Sequence, residues 1–346
     1  MKKVFCIILL LFSTNSFAQH FTTNDKNIKV QFGGQNKTEG SNIIYQKQAP
    51  AQNIPSPIKE GSAGQKIYQL SDEQLLLSQK IKEKPEIKTD CDRGNEVCLI
   101  SNVFKDRIVV ELENRTFATR TIKIKTYFQN VKSLTSIGNN YELTLASKER
   151  KLIDTIIQVD PTLSYGYKYD YTSYMGKKDA VHDDSYIYDL PFEYGKSYKL
   201  LQSYGGKFSH SGPENYYSYD FRMNTGTPVT AARDGRVIIV KENFTQGGPH
   251  KAYEFRANRI YVEHSDGTIG IYTHLAKNGA IVKVGDYVQK GQHIGYSGNT
   301  GFSDIPHLHF NVSKIIREQN FRSLPIKIRT SNGIERQLKV GVYYGK

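Results

Sequence analysis

From residue 103 to its end the chain sustains no helical repeat of apolar residues; it alternates them in short runs broken by Gly and Asn. Alternation at period two puts one set of side chains on each face of an extended strand. Arg107-Ile-Val-Val-Glu-Leu-Glu113, Arg120-Thr-Ile-Lys-Ile-Lys-Thr126 and Lys151-Leu-Ile-Asp-Thr-Ile-Ile-Gln-Val159 carry this pattern and predict strands joined by turns. A small β-sandwich is their natural arrangement. Tyr165 to Tyr188 adds many tyrosines, which suit either strand packing or a sugar-binding face; packing is the simpler reading.

After about Tyr194 the strand signals return with many glycines. Arg236–Lys241, Arg259–His264, Ile269–His274 and His307–Ser313 are expected strands, and Gly226-Thr-Pro-Val229 begins another. Val284 to Gly295 spaces glycines and apolar residues regularly, as tight turns between short strands require. The expected fold class is therefore all-β, a glycine-rich β-sheet domain at 196–346 preceded by a β-sandwich-like accessory domain at 100–195.

The N-terminus reads as an export signal. Lys2 and Lys3 precede the apolar run Val4 to Phe12, too short to span a bilayer, and Ser16-Phe17-Ala18 offers small residues for cleavage after Ala18. No Cys follows the run where a lipid anchor needs one, and no other stretch reads as a transmembrane helix. Residues 19–99 are polar and poor in apolar periodicity, a flexible leader or linker with one short helix expected around Ser71 to Lys82. Of three cysteines, Cys6 would leave with the signal. Cys91 and Cys98 remain, an even pair in an exported chain, and a local disulfide is expected.

The formal net charge is +13, which suits an anionic partner. The basic residues are scattered rather than gathered into a stripe, so no nucleic-acid site is read. For an exported protein an anionic cell-wall polymer is the simpler counterpart.

His307-Leu308-His309 is the feature that calls for chemistry. In a strand both imidazoles share a face while Leu308, Phe310 and Val312 turn into a core. Alone, such a pair is often a chance surface feature. Asp220 lies between Tyr219 and Phe221, where a carboxylate is costly to bury unless paired or bound to a cation. His210 follows Gly205-Gly-Lys-Phe-Ser209, and His274 ends Ile271-Tyr-Thr-His-Leu275. Two His and one carboxylate bind zinc well and leave a fourth position open.

In this order, His210, Asp220, Gly226-Thr-Pro-Val229, Tyr272-Thr-His-Leu275, the glycine-rich Val284 to Gly301 and His307-Leu-His309, the sequence resembles the lysostaphin-type (LytM-like) zinc metallopeptidases over Tyr204 to Ser313. The resemblance implies His210, Asp220 and His309 as ligands of one zinc ion, and His274 and His307 as two catalytic histidines. It implies an endopeptidase acting on peptides of bacterial peptidoglycan, exported to the periplasm or beyond. One departure is the spacing of His210 and Asp220: nine residues, Ser211 to Tyr219, intervene where many members have fewer. The longer loop is expected to alter the groove. His250, His264 and His293 match no motif and read as surface or turn residues, with His264 nearest the site.

Other hydrolase signals are absent. There is no HExxH, Gly295-Tyr-Ser-Gly298 lacks the GxSxG spacing, and no GxxxxGK[ST] occurs. Two rivals remain. One is a zinc-binding domain that binds wall or activates other wall hydrolases without catalysis, against which all five functional positions are filled. The other is a lipoyl- or biotin-carrier fold, which needs a modified Lys beside Met; Lys290 has no such neighbour. The half of the chain before the peptidase carries no recognisable catalytic residue. It is expected to cover the groove and restrain it, or to act as a spacer or wall-targeting module.

Overall fold

The computed structural model of the chain describes residues 20–22, 28–33, 42–47, 84–135, 138–317 and 320–346. The expected signal at 1–18 and the expected helix at 71–82 lie outside the described residues. What is described is almost wholly β, with one short 3-10 turn at Lys251–Tyr253.

The first unit is a sandwich of two sheets. One sheet orders Glu86–Cys91, Val97–Val103, Ile108–Asn114, Arg150–Gln158 and Val131–Ser133. The other pairs Asn140–Leu145 with Arg120–Gln129 and that strand with Tyr165–Met175, whose far edge takes Asn42–Lys47, Ile28–Gly33 and His20–Thr22. Alternating residues of both sheets, among them Val110, Leu112, Ile122, Ile156, Tyr169 and Tyr171, fill the space between. The tyrosines of Tyr165–Met175 therefore pack the core rather than form a sugar-binding face. Buried Asp154 is satisfied there by the hydroxyls of Ser133, Thr135 and Tyr169 at 2.6, 2.7 and 2.7 Å.

The leader expected at 19–99 needs correcting. Glu86–Cys91 and Val97–Val103 are full members of the first sheet, so the sandwich begins well before residue 100. Val97 and Leu99 supply the apolar burial that holds them there. Cys91 and Cys98 are cross-strand partners at this edge and form the expected disulfide.

The second unit centres on a nine-stranded sheet. Its order is Tyr287–Val288, Gly235–Lys241, Arg259–Glu263, Ile269–Thr273, His307–Arg317, Ser218–Arg222, Ser197–Gln202 and Tyr343–Gly345, with Asn320–Ser323 pairing back onto His307–Arg317. Tyr219, Phe221, Tyr272, Leu308, Phe310 and Val312 fill one face with no exposure. Each such side chain contributes about 1.5–3 kcal/mol by leaving water. At Gly235 a Cβ would come within 2.3 Å of the Glu263 carbonyl, so only glycine lets these strands approach. The unit also starts earlier than residue 196. Ile187–Asp189 pairs in parallel with Lys327–Thr330, and Tyr188, Leu190 and Phe192 are fully buried in the same core.

The two units meet through a third apolar cluster. Ala118 and Tyr174 of the sandwich pack with Ile238, Ile269, Ile271 and Ile315 of the large sheet. Glu263 accepts a hydrogen bond from the Thr119 amide at 3.0 Å across the same seam. Gly176 and Gly285, both at positive φ, allow close approach: a Cβ would strike Ile315 and Phe117 respectively. Ile315 lies on the strand that carries His309, six residues or about 20 Å further along.

Candidate metal centre

Strands Ser218–Arg222 and His307–Arg317 are antiparallel neighbours in the middle of the large sheet, and their register sets Asp220 directly opposite His309. Alternation does the rest. Tyr219, Phe221, Leu308 and Phe310 point into the core, so Asp220, His307 and His309 must point to the other face. Thr273, opposite His309 on the other side, ends the strand that leads to His274. His274 itself takes a left-handed backbone, φ 65°, which breaks the alternation at this point.

His210 comes from the loop after Ser197–Gln202. A turn in which the His210 amide donates to the Gly206 carbonyl at 2.9 Å folds this loop back over the sheet. His210 Nδ1 then lies 2.9 Å from the Ser203 carbonyl and donates to it.

The three residues converge on one oxygen. Asp220 Oδ1 is 2.9 Å from His309 Nδ1 and 3.2 Å from His210 Nε2, with His307 Nε2 at 3.8 Å. One ligand atom from each of His210, Asp220 and His309 lies within 4.8 Å of the others, and all three residues are buried. With its Nδ1 proton given to Ser203, a neutral His210 carries a lone pair on Nε2. That atom is buried without a hydrogen-bond partner and faces a carboxylate oxygen. Two acceptors held together away from water repel unless a cation lies between them, either a proton or a metal. The donor set, two imidazoles and one carboxylate, suits zinc.

The electrostatics agree. Burial alone would raise Asp220, but the close approach of His210, the hydrogen bond with His309 and the nearby His307 hold it well below the usual carboxylate range. Burial would lower His210, yet Asp220 raises it overall. Burial wins at His309 and lowers it despite the same carboxylate.

His274 and His307 sit beside this group. Their ring centroids are 4.6 Å apart, and His274 is 5.9 Å from His309. His274 Nδ1 is 2.6 Å from the Thr300 carbonyl, and His307 Nδ1 is 2.8 Å from that of Ile305. Both rings thus donate from Nδ1 to a backbone carbonyl. Burial first, and then His307 and His309, push His274 down to about 3, so it is neutral.

An open groove of about 520 Å³ runs along the sheet from this cluster. His274 and His309 line it together with Phe208 and Phe302, whose rings stack 5.0 Å apart. Tyr261, Ile271 and Phe321 line it too, as do Glu214 and Asn215 of the long Ser211–Tyr219 loop.

The structure brings together all five residues singled out in the sequence. The other histidines stay apart. His264 is no surface residue: it is buried, with Nδ1 2.9 Å from the Thr268 hydroxyl, and burial pushes it down to about 3. His293 Nε2 donates to the Gly295 carbonyl at 2.8 Å, and His250 is exposed. Sequence reasoning missed Gln202, which holds the second oxygen of Asp220, and the carbonyls of Ser203, Thr300 and Ile305 that set the imidazole tautomers. No local signal marks them.

Residues 214–322 match the model of Peptidase family M23, a match that begins beyond His210. The glycyl-glycine endopeptidase ALE-1 of Staphylococcus capitis is 43% identical over 115 residues, 33% of this chain and 29% of that protein. The peptidoglycan DD-endopeptidase ShyA of Vibrio cholerae is 30% identical over 118 residues, 34% of this chain and 24% of that protein. The solved structure of the antimicrobial peptidase lysostaphin from Staphylococcus simulans is 37% identical over 37% of this chain and 46% of that one, with a TM-score of 0.28. The chain spans less than half the length of each of these relatives.

Proposed function

We propose that this chain, which carries a Peptidase family M23 domain, is a zinc-dependent endopeptidase that hydrolyses peptide bonds of bacterial peptidoglycan. The observation that carries the reading is Asp220 Oδ1, shared between His210 Nε2 and His309 Nδ1 beside an open groove. His210, Asp220 and His309 would hold the zinc. Zinc there supplies a Lewis acid that acidifies water and polarises a carbonyl.

The chain's own residues do the rest. The groove seats an extended peptide along the sheet face, against Phe208, Phe302 and Tyr261. His274 and His307 present Nε2 atoms to the reacting carbonyl. Between them they take the proton of the attacking water and steady the oxyanion, then return a proton to the leaving amine. Their fixed Nδ1–H donors keep both rings in the tautomer this requires. Burial of the whole cluster excludes bulk water and strengthens each of these interactions.

Peptidoglycan as substrate rests on the similarity to ShyA, a peptidoglycan DD-endopeptidase, and to ALE-1, a glycyl-glycine endopeptidase, together with the basic net charge. Export rests on the N-terminal signal pattern and is supported by the Cys91–Cys98 disulfide, which suits an oxidising compartment. Among the described residues no helix is long and apolar enough to cross a membrane. Purified peptidoglycan incubated with the protein should release peptides identifiable by mass spectrometry, and chelation should stop their release. Zinc bound at full occupancy without any cleaved product would point instead to a wall-binding or hydrolase-activating protein.

A further inference from the structure

Asp220 offers two carboxylate oxygens, and the fold uses them differently. Oδ1 faces the three histidines, as described. Oδ2 accepts a hydrogen bond from Gln202 Nε2 at 2.7 Å. Gln202 is the residue paired with Asp220 across the neighbouring strand, so the register itself delivers the contact. The same Nε2 is 3.0 Å from the Ser209 hydroxyl, next to His210, and Gln202 Oε1 accepts the Phe208 amide at 3.2 Å. These partners fix which way the carboxamide points. A backbone amide can only donate and a carboxylate can only accept, so Oε1 must face Phe208 and Nε2 must face Asp220. Gly206 gives the carboxamide room: a Cβ there would come within 2.8 Å of Oε1.

We propose that Gln202 is a positioning residue for the metal. Its carboxamide occupies Oδ2, confines Asp220 to Oδ1 as the ligand atom, and ties the His210 loop to the Asp220 strand. The inference rests on the zinc reading above and deepens it. Partners of this kind typically set metal affinity by a factor of about 10–100.

Two substitutions separate donor loss from packing. Gln202→Leu removes both Nε2 donors at similar bulk. Gln202→Glu keeps the shape and the acceptor for the Phe208 amide but sets an acceptor against Oδ2. Zinc affinity of the full chain, measured by chelator competition, should fall about 10- to 100-fold in both variants. In cobalt-substituted protein, freeing Oδ2 in Gln202→Leu should change the intensity and position of the visible absorption bands, because the number of ligand atoms changes. The thermal midpoint of the metal-free protein, taken in parallel, separates lost metal affinity from lost fold stability in each variant. Wild-type affinity together with an unchanged cobalt spectrum in both variants would overturn the proposal. If the wild-type chain itself bound no zinc, the metal reading would fail first. If wild type bound zinc, His309→Ala lost it and both Gln202 variants kept it, only the role of Gln202 would fall.

Discussion

The ring centroids of His274 and His307 lie 4.6 Å apart with the planes tilted at 52°, and each Nδ1–H donates to a backbone carbonyl of the segment that joins the glycine-rich turn to the last long strand. Thr300 and Ile305, which supply those carbonyls, lie five residues apart, so one short segment sets both tautomers. The pair is thus a single pre-set unit rather than two independent side chains.

Substituting either member should leave metal and fold in place while removing most of the turnover. His274→Ala and His307→Ala are each expected to lower hydrolysis of a peptidoglycan peptide about 100- to 10,000-fold, the usual contribution of a positioned acid or base. Zinc content and thermal midpoint should stay near wild type. Near wild-type turnover in both variants would remove the proposed roles.

The ligand set makes a different prediction. Metal analysis of His309→Ala should find little zinc, because one of three protein donors is gone. Affinity in the wild-type chain should also weaken as the solution is acidified, since a protonated imidazole has no lone pair to offer. Full occupancy in His309→Ala would exclude it as a ligand.

Much of this centre was legible in the sequence because its logic is local. His307-Leu-His309 shows two imidazoles on one strand face, and Asp220 between two aromatics shows a carboxylate that needs a cation. What could not be read depends on register. Gln202 meets Asp220 only because Ser197–Gln202 pairs with Ser218–Arg222 at that offset. The strands at 86–103 were hidden for another reason: Glu86–Cys91 is an edge strand with mostly exposed or half-exposed side chains, so it shows little apolar pattern. Its place follows from the buried strand beside it, Val97–Val103. His264 is the turn residue expected, but its burial was not legible, because a buried, neutral histidine in a turn has no signature that separates it from an exposed one.

A pH effect on stability follows from the turn between Arg259–Glu263 and Ile269–Thr273. Burial works against ionisation of Asp266, but Thr268 and the Arg233 guanidinium, 2.7 Å away, hold it down to about 2. Its folded value lies below its ordinary one. The pair therefore stabilises the fold fully above about pH 4 and loses that effect as pH falls towards about 2. Asp266→Asn should cost about 1 kcal/mol at neutral pH, allowing for screening at this partly exposed pair. Urea unfolding should show the gap to wild type closing over that acidic window; a gap constant with pH would refute the linkage.

Truncation tests what precedes the peptidase. A variant beginning at Lys84 keeps the second unit, the disulfide and the sandwich apart from its three N-terminal edge strands, and under gating by residues 19–83 it should cleave a soluble peptide faster than the mature chain. Equal rates on soluble peptide would leave no gating role for residues 19–83. A variant beginning at Ala180 loses the sandwich and uncovers Ile269 and Ile315, each worth about 1.5–3 kcal/mol when buried. Its thermal midpoint should drop, and an unchanged midpoint would show that the seam contributes little.

Ile271 belongs to two surfaces at once. It lines the groove, and it packs in the cluster shared with Ala118 and Tyr174 of the sandwich. A peptide resting on that side chain and the sandwich packed in the same cluster would share one contact residue. Thermodynamic reciprocity then binds the two events: by whatever factor docking of the first unit changes peptide affinity, peptide occupancy must change the strength of docking by the same factor.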